Sequence, residues 1–182
     1  MLRTKDILDE KDPRVRAKNT DVDFPLKDEY KDIIPEMLKH LRYSQIEKLS
    51  KKYDLRPGMG LAAPQLGINK NFFVVCYEVK DGVFDDYILI NPKVISYSEE
   101  MIYAGEGEGC LSVNREVEGI VPRHARITVE AYDLDGNKRK YRVREDLAIA
   151  FQHELDHLNG ILFVDYIDPK DPYKNADLYR EI

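Results

Sequence analysis

The chain has 182 residues, 43% of them hydrophobic and 34% charged, with 34 acidic against 28 basic side chains. That length suits a single domain spanning residues 1–182 around one core. The net charge of -6 disfavours a general nucleic-acid binder, because such proteins gain affinity by neutralising phosphates; no specific DNA binding is expected. The longest unbroken apolar run, Phe72 to Tyr77, is six residues, far short of the ~20 that a membrane-spanning helix needs. The opening Met1-Leu-Arg-Thr-Lys-Asp has no apolar signal core, so a cytoplasmic protein with free thiols at Cys76 and Cys110 is expected.

Residues 1–24 are charged and turn-prone, with Ile7, Leu8 and Val15 as tethers to the core. From Leu26 to about Tyr43, Tyr30, Ile33, Ile34, Met37, Leu38 and Leu41 recur at helical spacing, and Pro35 is expected to bend or restart the helix. His40 reads as a surface or packing residue. Ser44-Gln-Ile-Glu47 is a capping-box pattern for a second short helix, whose Lys48, Lys51, Lys52 and the following Arg56 read as a solvated basic face. Gly58 to Gly67 cannot be a phosphate loop, since no Lys-Ser/Thr follows and Pro64 opposes a helix. Its small residues permit close approach of another backbone, and Gln65 either donates its amide to a ligand or holds the loop together.

Strands are expected over Asn71 to Val79, Tyr87 to Ile90 and Val94 to Tyr97, the last two separated by Asn91-Pro92. Cys76 reads as a small core residue. In Gly105-Glu-Gly-Glu-Gly-Cys110 two acids would repel phosphate, whereas a cysteine on a flexible backbone suits coordination or nucleophilic chemistry. Arg126 to Leu134 and Lys138 to Val143 alternate around Asp135-Gly136, a hairpin signal. His124 reads as a loop residue without a ligand role. Ile161 to Ile167 reads as a last strand, and Asp168 to Pro172 as the end of the ordered core.

Between these strands lies Gln152-His153-Glu154-Leu155-Asp156-His157. Histidines four apart share one helix face and can reach one ion, and the intervening Glu154 can act as general base without ligating. The helix from Leu147 is apolar nearly all round and is therefore expected to be buried, with Glu145 and Asp146 in its first turn and Asn159-Gly160 at its end. Polar groups in such a helix require partners. Downstream, Phe163 stands where one protease class would have a ligand, and for the class that needs a later glutamate the only one after Glu154 is Glu181, at the chain end. The third ligand must therefore lie upstream.

Read together and in order, GMGLAAPQ at 58–65, EGCLS at 108–112 and QHELDH at 152–157 closely resemble the three signature motifs of the peptide deformylase family. The likeness runs from about Asp6 to Pro169, and the segment before Gly58 resembles the longer-insert, type 2-like subclass. The resemblance implies an α+β fold in which antiparallel sheets surround a central HExxH helix, with a helical segment before them. It implies a Cys110–His153–His157 site for one divalent ion, Fe2+ physiologically, with Zn2+, Ni2+ or Co2+ possible in prepared protein. The implied activity is removal of the formyl group from N-formyl-methionyl peptides and nascent chains, releasing formate.

By the same carry-over Glu154 handles the proton, while the Gln65 amide and the Leu111 N–H donate to the developing oxyanion. Gly58, Gly60 and Gly109 would meet the extended substrate backbone, and Ile149 and Ala150 would wall the methionine pocket. Glu108 and Arg123 are expected to pair and to orient the cysteine loop. A monomer with transient ribosome association is expected. The rivals are a general metallopeptidase, which would not need Cys110, and a metal-binding scaffold, which would not need Glu154.

Overall fold

In the computed structural model, which describes residues 1–182, helix α1 covers Asp28–Gln45 without interruption. Pro35 neither stops nor restarts it; the proline is the eighth residue of the helix, where it has no N–H to donate to the Lys31 carbonyl, and the helix runs on across that gap with its apolar face packed on the core. Its inward face, Tyr30, Ile34, Met37 and Leu41, is buried, and His40 is fully buried with it, a packing residue as one of the two readings had it. Helix α2 spans Glu47–Tyr53 with Ile46 at its N-cap. The expected capping box is not made. Ser44 lies inside α1, where its hydroxyl donates to the Leu41 carbonyl at 2.7 Å and accepts from the Gly58 N–H at 3.1 Å.

Five strands form one antiparallel sheet in the order β1 (Gly60–Ala62), β2 (Phe72–Lys80), β3 (Val83–Tyr97), β6 (Arg126–Tyr132) and β7 (Lys138–Arg144). The two segments expected on either side of Asn91-Pro92 are one strand, β3. Its register shifts between Ile90 and Lys93, and Asn91 takes φ +51°, so the proline is accommodated as a bulge. A second, three-stranded sheet joins β4 (Met101–Tyr103) to β5 (Arg123–His124) and to β8 (Arg180–Glu181). His124 is therefore a strand residue, its ring 4.6 Å from that of Tyr97.

Alternation along β2 sorts the core into two layers. Phe72, Val74 and Cys76 pack against Ile34, Met37 and Leu41 of α1, whereas Phe73 and Val75 pack against Ala148 and Phe151 of helix α3, Glu145–Leu158. Burying a side chain such as Phe151 completely contributes about 2–3 kcal/mol, so α3 is held mainly by this apolar face. The helix lies between the large sheet and the small one, with His124 of β5 exchanging hydrogen bonds with Gln152 at 2.9 Å. The HExxH helix is thus central and flanked by antiparallel strands, as expected.

Two expectations fail at the C-terminal end. Residues 161–167 are no strand. Phe163–Tyr166 form a 3-10 turn in which the Asp165 carboxylate accepts from the Leu162 N–H at 3.0 Å, while Arg16 clamps the same carboxylate. Nor does order end at Pro172. The tail returns so that β8 runs parallel to β4, and Arg180 binds Glu100 and Glu145 at 2.7 and 2.8 Å.

Candidate active site

The histidine pair stands on α3 because residues four apart recur on one face. Its rings are 5.1 Å apart between centroids. Cys110 arrives from the glycine-rich loop between β4 and β5, and its Sγ is 3.4 Å from His157 Nε2. One ligand atom each from Cys110, His153 and His157 fall within 4.8 Å of one another. A thiolate and two imidazoles form a donor set for a first-row divalent ion. Two buried atoms without hydrogen-bond partners, His157 Nδ1 and Glu154 Oε2, lie at this same place.

Burial and hydrogen bonds pull these groups in different directions. Burial pushes the Glu154 carboxyl up to about 7. For Glu108 burial acts upward too, but hydrogen bonds from His153 and Arg123 outweigh it and bring the group down to about 2. Burial lowers His157, joined by the nearby His153 and Arg123. On His153 burial also acts downward, yet its hydrogen bonds to Cys110 and Glu108 hold it well above its ordinary value. Of the two imidazoles, His153 therefore favours its charged form and His157 its neutral form.

The expected Glu108–Arg123 pair is present and is the middle of a longer chain. Glu108 accepts from His153 Nδ1 at 2.8 Å and from two Arg123 nitrogens at 2.9 Å each; Arg123 also reaches Asp156 at 2.6 Å. Asp156 in turn accepts from the Tyr166 hydroxyl at 3.0 Å. Fixing Nδ1 of His153 leaves its Nε2 to face the cluster.

Gln65 sits in a 3-10 turn after β1. Its Oε1 accepts from the Ala62 N–H at 2.9 Å, while its Nε2 donates to Ser112 Oγ at 3.1 Å and lies 3.7 Å from Cys110 Sγ. It holds the loop, one of the two roles weighed from the sequence, with its amide nitrogen beside Cys110. The Leu111 N–H has no acceptor within the chain. A Cβ on Gly60 would collide with the Glu154 carboxylate, and one on Gly58 would lie 2.8 Å from Leu111 Cδ1.

These residues line a single cleft of about 340 Å³. Its walls include Gly58, Gly60, Gln65, Gly109, Cys110, Leu111, Ile149, Ala150, His153 and Glu154; His157, 1% exposed, closes the base from behind. Ile149 also packs with Ile102 and Ala125, so it serves core and cleft at once.

Arg56 is the residue the sequence hid. Instead of joining the basic face of α2, its guanidinium donates to the carbonyls of Cys110 and Val113 and, at 2.7 Å, to Asn114. Its position two residues before the glycine stretch was the available signal. Asp156 was likewise visible only as a letter inside the histidine pair.

The family model for polypeptide deformylase matches residues 4–173. The chain belongs to the polypeptide deformylase family. A peptide deformylase of Macrococcus caseolyticus is 50% identical over 175 residues, covering 96% of this chain and 95% of that relative. Peptide deformylase 2 of Bacillus anthracis is 45% identical over 177 residues, 97% of this chain and 96% of its own. Among solved structures, a probable peptide deformylase from Synechococcus phage S-SSM7 superposes with TM-score 0.73 at 35% identity, covering 88% of this chain and 98% of that one. The Thermotoga maritima peptide deformylase gives 0.69 at 32%, with 90% and 97% covered. As a deformylase, the chain is a metal-dependent hydrolase that removes the N-formyl group from new polypeptides.

Proposed function

We propose that Cys110, His153 and His157 hold one divalent ion, and that Glu154, Gln65 and Leu111 carry out hydrolysis of the formyl group beside it. The observation that carries this reading is the gathering of the three ligand atoms within 4.8 Å at the base of the cleft that also contains Glu154 and Gln65. When bound, the ion supplies Lewis acidity for the attacking water and for the formyl oxygen.

The chain's own residues do the rest. Glu154, through Oε2, accepts a proton from water as its oxygen bonds to the formyl carbon. The Gln65 Nε2 and the Leu111 N–H donate to the formyl oxygen as it gains negative charge. The C–N bond then breaks, Glu154 delivers its proton to the leaving amine nitrogen, and formate and a free N-terminus are released. Substrate would lie extended beside β1, an edge strand of the large sheet, between Gly60 and Gly109. The first side chain, methionine, would enter between Gly58, Ile149 and Ala150.

In this reading the physiological ion is Fe2+, the chain acts as a monomeric single domain in the cytoplasm, and it associates transiently with ribosomes. No helix is long and apolar enough to cross a membrane. The test is formate release from a formyl-Met tripeptide by protein purified without oxygen, with bound metal quantified in the same sample. Turnover should scale with iron content. Glu154→Gln should retain the ion and lose about 100- to 10,000-fold in kcat; full turnover by that variant would remove Glu154 from the mechanism.

A further inference from the structure

Strand β7 presents Lys138, Lys140, Arg142 and Arg144 to solvent, all exposed. Val143 is buried and Tyr141 packs towards α3, so by alternation the four cations point to the opposite side of the sheet. On that side α1 covers β2 through Phe72, Val74 and Cys76, and β6 and β7 lie beyond that cover. Across the ladder Arg126 stands opposite Arg144 and Thr128 opposite Arg142, with Ser96 of β3 next in the same row. Neighbouring cations on the strand are about 6.6 Å apart.

Few acids offset them. Glu130 approaches Lys138 and Lys140 only to 3.7 Å. Arg126 pairs with Glu100 at 2.8 Å. Arg144 is 4.0 Å from Glu145, which Arg180 already holds at 2.8 Å, and Arg142 forms no ion pair. Arg126, Arg142 and Arg144 border one groove together with Ser96, Ser98 and Thr128, and no carboxylate lines it. Lysines on an edge strand discourage pairing with another sheet. That role does not require three guanidiniums and three hydroxyl residues around a shared groove, an arrangement suited to phosphate oxygens.

We propose that this face binds the phosphate backbone of RNA. The charge complementarity is local: a basic row on a chain whose net charge is -6. The strip lies outside the substrate cleft, none of whose lining residues belongs to β7. RNA is chosen over other polyanions on the reading that the substrates are nascent chains, which exist only on an RNA-rich particle; the proposal rests on that reading. The basic residues of and after α2 are less free to do this, because Arg56 is committed to the Cys110 loop and Lys51 to Glu47.

The test measures binding of the metal-loaded protein to a fluorescent 20-nucleotide RNA and to purified ribosomes across a salt series. Phosphatidylglycerol vesicles and formyl-Met tripeptide turnover are measured on the same preparations. The triple variant K140E/R142E/R144E should bind both RNA probes at least about tenfold more weakly, with a log–log salt slope shallower by about 2 for three lost phosphate contacts on single-stranded RNA. Its tripeptide turnover should match wild type, and K48E/K51E/K52E on α2 should bind RNA like wild type. The milder K140Q/R142Q/R144Q should be intermediate, which separates charge from damage to the strand. Equal RNA binding by wild type and the triple variant overturns the proposal, as does loss confined to the α2 variant or a preference for vesicles over RNA. Absence of tripeptide turnover in the wild type would overturn the deformylase reading instead.

Discussion

Arg123→Ala would test whether the buried carboxylate chain behind the histidines fastens the metal site. Arg123 is 3% exposed and makes three charge-assisted hydrogen bonds, two to Glu108 and one to Asp156. Its removal leaves two carboxylates without their cation, one of them, Glu108, with a side chain only 5% exposed. Breaking a buried pair by deleting one partner costs about 3–5 kcal/mol. For a chain of this size that corresponds to a melting temperature lower by roughly 6–20 °C. Because Glu108 is also what fixes His153 Nδ1, metal affinity should fall about 10- to 100-fold. Chelator competition, followed by metal release and by thermal unfolding, reads both effects. Arg123→Lys keeps the charge but loses the two-pronged contact to Glu108, so it should stay folded while still releasing metal faster. Wild-type retention in both variants would show that the ion pair serves stability alone and would refute the link to the site.

Gly60→Ala should lower kcat by at least about 100-fold with little change in melting temperature, because the new methyl group displaces the Glu154 carboxylate; wild-type kcat would show that the carboxylate has room to move. Arg56→Ala should cost about 1–3 kcal/mol by orphaning the Val113 carbonyl and leaving the Cys110 carbonyl with the Val113 N–H alone, and should speed metal loss to a chelator. Neither effect appearing would mean the loop holds its shape unaided. His40 concerns pH: burial holds its ring below the ordinary imidazole value, so its neutral form is favoured by folding. Stability from this residue is complete above the unfolded value of about 6.5 and declines as pH falls from there toward the folded value. Urea titrations of His40→Gln should therefore show a flatter decline below pH 6.5, and identical slopes would remove His40 as the cause.

The residues of the candidate site were legible because each carries its chemistry in its own letter and spacing: two imidazoles one helical turn apart, a carboxylate between them, a cysteine among glycines. The buried face of α1 was legible in its helical period; the two core layers were not, because Phe72 to Tyr77 is an unbroken apolar run buried on both sides of the sheet. What failed was non-local. Ile161 to Ile167 reads as a strand by composition, but an Asp165 carboxylate capping Leu162 and the reach of Arg16 across the chain favour a 3-10 turn. Ser44 matches a cap by pattern, yet its hydroxyl is taken by Leu41 and Gly58. The tail after Pro172 has no apolar period to announce it; it is ordered by Arg180 meeting two acids from different elements. Arg56 belongs to the same class, since only the folded chain brings it under the cysteine loop.

The cysteine loop presents a mechanical problem that these ion pairs answer. Gly105, Gly107 and Gly109 leave the backbone before Cys110 with more freedom than any other residues would, and fixing a glycine costs about 0.5–1 kcal/mol more than fixing alanine. A thiolate on such a loop would not by itself stay within reach of two imidazoles on a helix. Glu108 and Arg123 supply the connection: the loop's carboxylate grips His153, and the arginine ties that carboxylate to Asp156, three residues further along α3. Two attachments nearly one helical turn apart fix both the height of the loop along the helix and the rotation of the helix beneath it. Arg56 then holds the loop from its other side through the Cys110 carbonyl. The glycines can therefore leave open the narrow cleft that Gly107 and Gly109 line, with the loop's rigidity supplied by the charged side chains around them.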